Sequence, residues 1–241
     1  MIADWGLDPQ RQNQMLEVSG PYVDLAKIAV GISALLPVDT LARKFASYRE
    51  HGITPFPGGQ FLEHAVLVGK RDEYLQAICD VGFDCLEVSD NLLDVTLEQK
   101  RELIETARKQ FGLRVLGEVG KKEDVVASND LADDAQCCLD AGAENVFLEA
   151  ADFFSGEVNE TQLNRIIDRC GLAPLVFELP GPWIKGVTLS DVHQMTCWLV
   201  DRFGPDANIA NVSPDDVLKV EALRLRIGVN AGKADEPAEN A

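Results

Sequence analysis

The chain has 241 residues, with 40 acidic against 22 basic side chains and a formal net charge of −18. Such a surface makes nucleic acid and anionic membranes poor partners, and no apolar run reaches the ~18 residues of a membrane-spanning helix. The opening "MIADWGLDPQ" lacks the basic start and apolar core of an export signal. The six cysteines, at 79, 85, 137, 138, 170 and 197, form neither a CxxC nor a zinc-ligand spacing, so reduced thiols in a cytoplasmic protein are expected.

The stub "MIAD" opens the chain. Short apolar runs follow: "YVDLAKIAV" (22–30), "ITPF" (53–56), "CLEV" (85–88), "RVLGEV" (114–119), "NVFLEA" (145–150), "LVFEL" (175–179) and "ANIANV" (207–212). Each reads as a short buried strand. Helical spacing fills the intervals. In 96–112, Thr96 is the cap, Gln99 completes a capping box and Gly112 follows the end. In 213–226, Ser213 is the expected N-cap, Pro214 takes the first helical position, and Asp215 and Asp216 sit in the first turn. The vicinal Cys137-Cys138 falls in another helix and reads as packing. Eight strands alternating with helices predict an α/β fold, a single-domain TIM barrel over residues 1–231, with a doubly wound open sheet as the alternative. A polar, frayed tail is expected over 232–241.

In such a barrel the chemistry sits where the strands end. Glu87, Glu118, Glu149 and Glu178 end four successive runs, Lys27 lies near the end of the second strand, and Asn208 and Asn211 lie in the eighth. Four carboxylates around one rim repel each other unless a cation stands among them: a divalent metal, lysines, or both. Past Glu118, "EVGKK" places Lys121 and Lys122 beyond a glycine, as anion binders or proton donors. Gly58-Gly59 joins a strand to a helix, either offering backbone N–H groups to an anion or making a plain tight turn. Ser89, Asp90 and Asn91 follow Glu87 as a loop for substrate hydroxyls or as a simple turn. His51, His64 and His193 sit in helical segments, His64 following Glu63 near the mouth. Nucleophile elbow, HExxH and P-loop motifs are absent from the sequence.

These pieces, in this order, resemble the phosphosulfolactate synthase family from "DWGL" to about Arg226. The matching stretches are "YVDLAKIAVGISAL", "FPGG", "LEVSD", "EVGKK", "GAENVFLEA", "VFE" and "NIANV". The resemblance implies a TIM-barrel lyase that adds sulfite to phosphoenolpyruvate with Mg²⁺, on the route to coenzyme M. It implies catalytic roles for Lys121, Lys122, Lys27 and Glu118, and metal binding by Glu87, Glu149 and Glu178. Ser33, Gly58, Gly59, Ser89, Asp90, Asn211 and Arg224 become the expected substrate contacts. The implied partner is a small anionic carboxylate or sulfonate, and a homo-oligomer is compatible with the reading. Two departures stand out. "EAADFFSGE" (149–157) lacks the family's arginine and carries Phe153 and Phe154, and "LRLRIGVNAG" (223–232) lacks its Gly-Asp-Thr. Arginine is a strong phosphate ligand, so the expected substrate shifts toward a non-phosphorylated enol or unsaturated acid. A related carbon–sulfur or carbon–carbon lyase is one alternative. A non-catalytic, stress-related barrel that works by binding is the other.

Overall fold

The computed structural model describes residues 1–120, 129–149, 159–181 and 183–229. Among them the strands are β1 (Ile2–Asp4), β2 (Leu25–Ile28), β3 (Thr54–Pro57), β4 (Cys85–Val88), β5 (Arg114–Val119), β6 (Val146–Leu148), β7 (Leu175–Glu178) and β8 (Ile209–Ala210). Every expected run holds one, and all the pairings are parallel. β1–β2–β3 form one ladder and β4 to β8 a second. The Ile2–Val212 bridge joins the last strand to the first, and β3 lies beside β4. The architecture is the TIM barrel.

The helices are α1 (Pro9–Ser19), α2 (Ile32–Leu35), α3 (Val38–Glu50), α4 (Gly59–Leu67), α5 (Arg71–Val81), α6 (Leu97–Phe111), α7 (Leu131–Ala141), α8 (Glu160–Cys170), α9 (Leu189–Phe203) and α10 (Val217–Arg224). Around α6 the expected signals operate: Thr96 and Gln99 form the reciprocal box, and Gly112 ends the helix with a left-handed φ of 68°. The start of α10 differs. Ser213 makes no side-chain cap, and residues Pro214–Asp216 form a tight 3₁₀ turn before the α-helix begins at Val217. The expected tail over 232–241 lies outside the described residues.

Strand alternation sorts the core into two layers, because residues i and i+2 share a face. Inward-facing Phe56, Cys85, Leu116, Phe147, Val176 and Ala210 form one buried cluster that fills the barrel. Outward-facing residues such as Ile28, Leu86, Val88, Val115, Val119, Val146 and Leu175 join the larger core beneath the helices. Burying each Phe, Leu, Ile or Val contributes about 1.5–3 kcal/mol. At Gly117 the approach is close: a Cβ there would lie 2.8 Å from the Cβ of Cys138. Glycine at this position therefore sets how near α7 can pack on β5.

Candidate active site

The same alternation places a charged layer directly above the apolar one. Two residues beyond Leu25, Cys85, Leu116, Phe147 and Val176 stand Lys27, Glu87, Glu118, Glu149 and Glu178, and all five are buried. Lys27 Nζ donates to Glu87 Oε1 at 2.9 Å and to Glu178 Oε1 at 2.8 Å. It also lies 5.3 Å from the centroid of the Phe147 ring. Carboxylate oxygens of Glu87, Glu118 and Glu178 all fall within 4.8 Å of one another. The expected metal set was Glu87, Glu149 and Glu178. The structure instead brings Glu118 into the tight group, while Glu149 lines the same cavity outside that trio. β4 and β5 are directly paired, which places Glu118 beside Glu87.

Burial opposes the charge on Lys27, but the facing Glu178, Glu87 and Glu118 outweigh it and hold the ammonium well above the ordinary lysine range. For Glu87 burial wins. Lys27 pulls its pKa down, yet desolvation, reinforced by Glu118 and Glu178, raises it well above the usual carboxylate value. The backbone N–H of Gly59 donates to Glu87 Oε2 at 3.0 Å. The glycine pair therefore points an amide at a protein carboxylate. A side chain at Gly59 would also collide with Ser89.

The mouth is a cavity of about 470 Å³. Besides the charged layer it is lined by Trp5, Val30, Gly58, Asn91, Trp183 and Asn211. Trp5, from the β1 loop, and Trp183, from the β7 loop, meet with ring centroids 5.4 Å apart and planes tilted by 42°. Both stay substantially exposed. Asn211 adopts a left-handed φ of 59°, its amide donating to the Leu179 carbonyl at 3.4 Å. Ser33 is half-buried in α2.

Other expected contacts lie elsewhere. Asp90 is an odd number of residues from Glu87 and so faces outward, where Lys100 of α6 reaches it at 3.0 Å and Asp134 of α7 at 2.9 Å. This buried cluster fastens the β4 loop to the helix layer. Ser89 does not open to the cavity either: its hydroxyl donates to Glu63 at 2.5 Å. Arg224 ends α10, which runs back toward the strand starts. Its guanidinium donates to the carbonyls of Pro205 and Ala207, at the far end of the barrel from the mouth. Asn208 likewise binds the Ala173 and Leu175 carbonyls where β7 begins. His64 is exposed on α4, and no histidine lines the cavity among the described residues. Lys121, Lys122, Phe153 and Phe154 lie outside the described residues.

Two residues absent from the expected site organise it from behind. Glu63, on α4, accepts from the backbone N–H groups of Asn91, Leu92 and Leu93 at 3.1, 2.7 and 3.1 Å. That leaves Asn91 Nδ2 donating to Glu118 Oε1 at 2.5 Å. Asp4 ends β1 facing outward, accepts from the N–H groups of Gly6 and Leu7, and meets Lys44 at 2.7 Å and the Tyr48 hydroxyl at 2.7 Å. This holds the loop that carries Trp5.

Fold and site together define a TIM-barrel enzyme with an acidic, lysine-bridged mouth. A profile described as (2R)-phospho-3-sulfolactate synthase matches residues 1–229. The phosphosulfolactate synthase of Methanocaldococcus jannaschii is 31% identical over 236 residues, covering 93% of this chain and 89% of the relative. That of Bacillus subtilis is 27% identical over 237 residues, covering 93% and 88%. Protein heat-stress-associated 32 of Arabidopsis thaliana is 25% identical, covering 88% and 79%. Among solved structures, N-acetylneuraminate lyase from Fusobacterium nucleatum superposes with a TM-score of 0.56 at 12% identity, covering 95% of this chain and 71% of that one. That likeness concerns the fold alone. The chain belongs to the phosphosulfolactate synthase family, and is an enzyme of the lyase type that family comprises.

Proposed function

We propose that this chain adds sulfite, or a similar nucleophile, to the methylene carbon of an enol or unsaturated carboxylic acid in the barrel mouth. The observation that carries the reading is the buried Lys27–Glu87–Glu118–Glu178 cluster, set in the mouth of a member of this family. The donor set fits a hard divalent cation. Three buried carboxylates converge within 4.8 Å, the hard oxygen donors such an ion takes. Bound there, Mg²⁺ would supply stabilisation of the negative charge that develops on the substrate carboxylate.

The chain's own residues do the rest. Lys27 holds a permanent positive charge beside the reacting carboxylate, and the carboxylate layer fixes its ammonium in place. As the nucleophile's electron pair forms the new bond at the methylene carbon, the double-bond pair moves toward the substrate's carboxylate. Lys121, with Lys122 beside it, is the proposed donor of the proton that then completes the adjacent carbon. Trp5 and Trp183 cover the mouth and limit the access of water.

The described residues lining the cavity include one cation, Lys27, alongside two tryptophans. The departures at 149–157 and 223–232 favour a non-phosphorylated acid over phosphoenolpyruvate, and Arg224, an expected substrate contact, is bonded at the other end of the barrel. The test is mass spectrometry of products formed by the purified protein from sulfite with phosphoenolpyruvate and with non-phosphorylated enol acids, with and without Mg²⁺. Sulfonate formed from a non-phosphorylated acid, lost when Mg²⁺ is omitted and lowered about 10²-fold or more by Lys121→Met, is the expected result. Efficient phosphosulfolactate formation would overturn the substrate preference. No sulfonate from any acid, with retained ligand binding, would favour a barrel that works by binding.

A further inference from the structure

Asn91 presents an unmatched acceptor at the cavity. The residue is 2% exposed and lines the mouth. Its Nδ2 donates to Glu118 Oε1, while its buried Oδ1 meets no donor among the described residues. Turning the amide over would face oxygen against carboxylate oxygen, so the Glu118 contact fixes which end is which. The backbone is fixed as well, because Glu63 accepts from three consecutive N–H groups starting at Asn91. Buried amide oxygens in native proteins almost always have a partner. An amide oxygen only accepts, so the partner here is a cation or a proton donor. Lys27 is bonded to Glu87 and Glu178 and is not that partner, while the oxygens of Glu87, Glu118 and Glu178 converge beside Asn91.

We infer that Asn91 Oδ1 belongs to the divalent-cation site formed by Glu87, Glu118 and Glu178, meeting the ion directly or through one of its waters. The inference rests on the metal reading proposed above. A neutral amide oxygen is an ordinary ligand for Mg²⁺-type cations and completes coordination without adding negative charge. Asn91 thus has two ends with two tasks: the nitrogen orients Glu118, and the oxygen faces the ion.

The experiment is isothermal titration of the full chain with Mg²⁺ alone, for the wild type, Asn91→Leu and Asn91→Asp, with melting curves of the metal-free proteins. Asn91→Leu is expected to weaken Mg²⁺ binding 10–100-fold, with a cooperative metal-free melting curve showing that it still folds. Asn91→Asp keeps an oxygen and adds charge, and is expected to bind Mg²⁺ as tightly as the wild type or more tightly. If Asn91 served only as a donor to Glu118, both variants would bind weakly, and the inference would fall. Wild-type affinity in Asn91→Leu would also overturn it while leaving the metal reading intact. A wild type that binds no Mg²⁺ would overturn both. Should Asn91→Leu not fold, Asn91→Ala carries the same expectation.

Discussion

Lys27 Nζ stands 2.8 Å from Glu178 Oε1 although the two residues belong to β2 and β7, which are not neighbours in the barrel. The bond spans the mouth, and with the second bond to Glu87 it makes Lys27 the electrostatic centre of the site.

Removing that centre should be expensive. Lys27→Met leaves Glu87 and Glu178 buried without their cation, and breaking a buried pair by deleting one partner costs about 3–5 kcal/mol. Denaturant unfolding without metal should show a loss on this scale. Added Mg²⁺ should recover part of it, because a ligand that binds only the native state stabilises it by mass action. A Lys27→Met protein as stable as the wild type would show that the carboxylates are neutralised by other means.

Glu87 gives a pH dependence of definite sign. Its folded pKa is raised above the ordinary 4.5, chiefly by burial. The native state therefore holds a proton that the unfolded chain releases, and stability should fall as pH rises from about 4.5 through the raised value. Lys27 is itself shifted well upward and adds no slope near neutrality. Glu87→Gln should flatten the decline that sets in above about pH 4.5, read as unfolding midpoints at each pH. A Glu87→Gln curve parallel to the wild type would assign the slope to other groups.

Much of this was legible in the sequence, and the misses have physical causes. The eight strands announced themselves because each is a short apolar run between helices with their own caps, as Thr96 and Gly112 show for α6. The rim was legible because glutamates at successive strand ends recur in phase. Asp90's place was hidden by the same phase: three residues after Glu87, alternation turns it to the helix layer. Arg224's bonds to Pro205 and Ala207 were not legible, because the helix that carries it returns toward the strand starts. Glu63 was not legible at all. A glutamate on a helix looks solvated, and only tertiary packing brings the β4 loop's amides onto it.

The Asp4–Lys44 pair offers a test of fastening at a distance from the mouth. Both side chains are fully buried. Lys44→Met should lose about 3–5 kcal/mol in denaturant unfolding and alter the near-ultraviolet dichroism of Trp5, whose loop Asp4 holds through Gly6 and Leu7. Asp4→Asn combined with Lys44→Met should lose less than the single Lys44 change. If the losses simply added, the two residues would not be energetically coupled.

Thiol chemistry separates the cysteines by burial. Desolvation pushes the Cys85 and Cys138 thiols up to about 12, so neither forms thiolate near about pH 8, the form that reacts. Iodoacetamide on the native protein should label the half-buried Cys79, Cys170 and Cys197 and reach Cys85 and Cys138 only after denaturation. Peptide mapping that found Cys138 alkylated in the native state would contradict the packing of α7 on β5.

The two faces of each strand look onto different surroundings. On β4 and its extension, Glu87 points into the mouth and Asp90 into the helix layer, held apart by nothing more than the count of residues between them. Substitution at either position alters one side and leaves the other in place. Insertion or deletion of a single residue upstream within the strand would exchange the faces, carrying the Glu87 carboxylate out of the mouth and turning apolar side chains into its place. A change of side chain at the mouth is therefore a local event, whereas a change of strand length beneath it re-sorts every residue above.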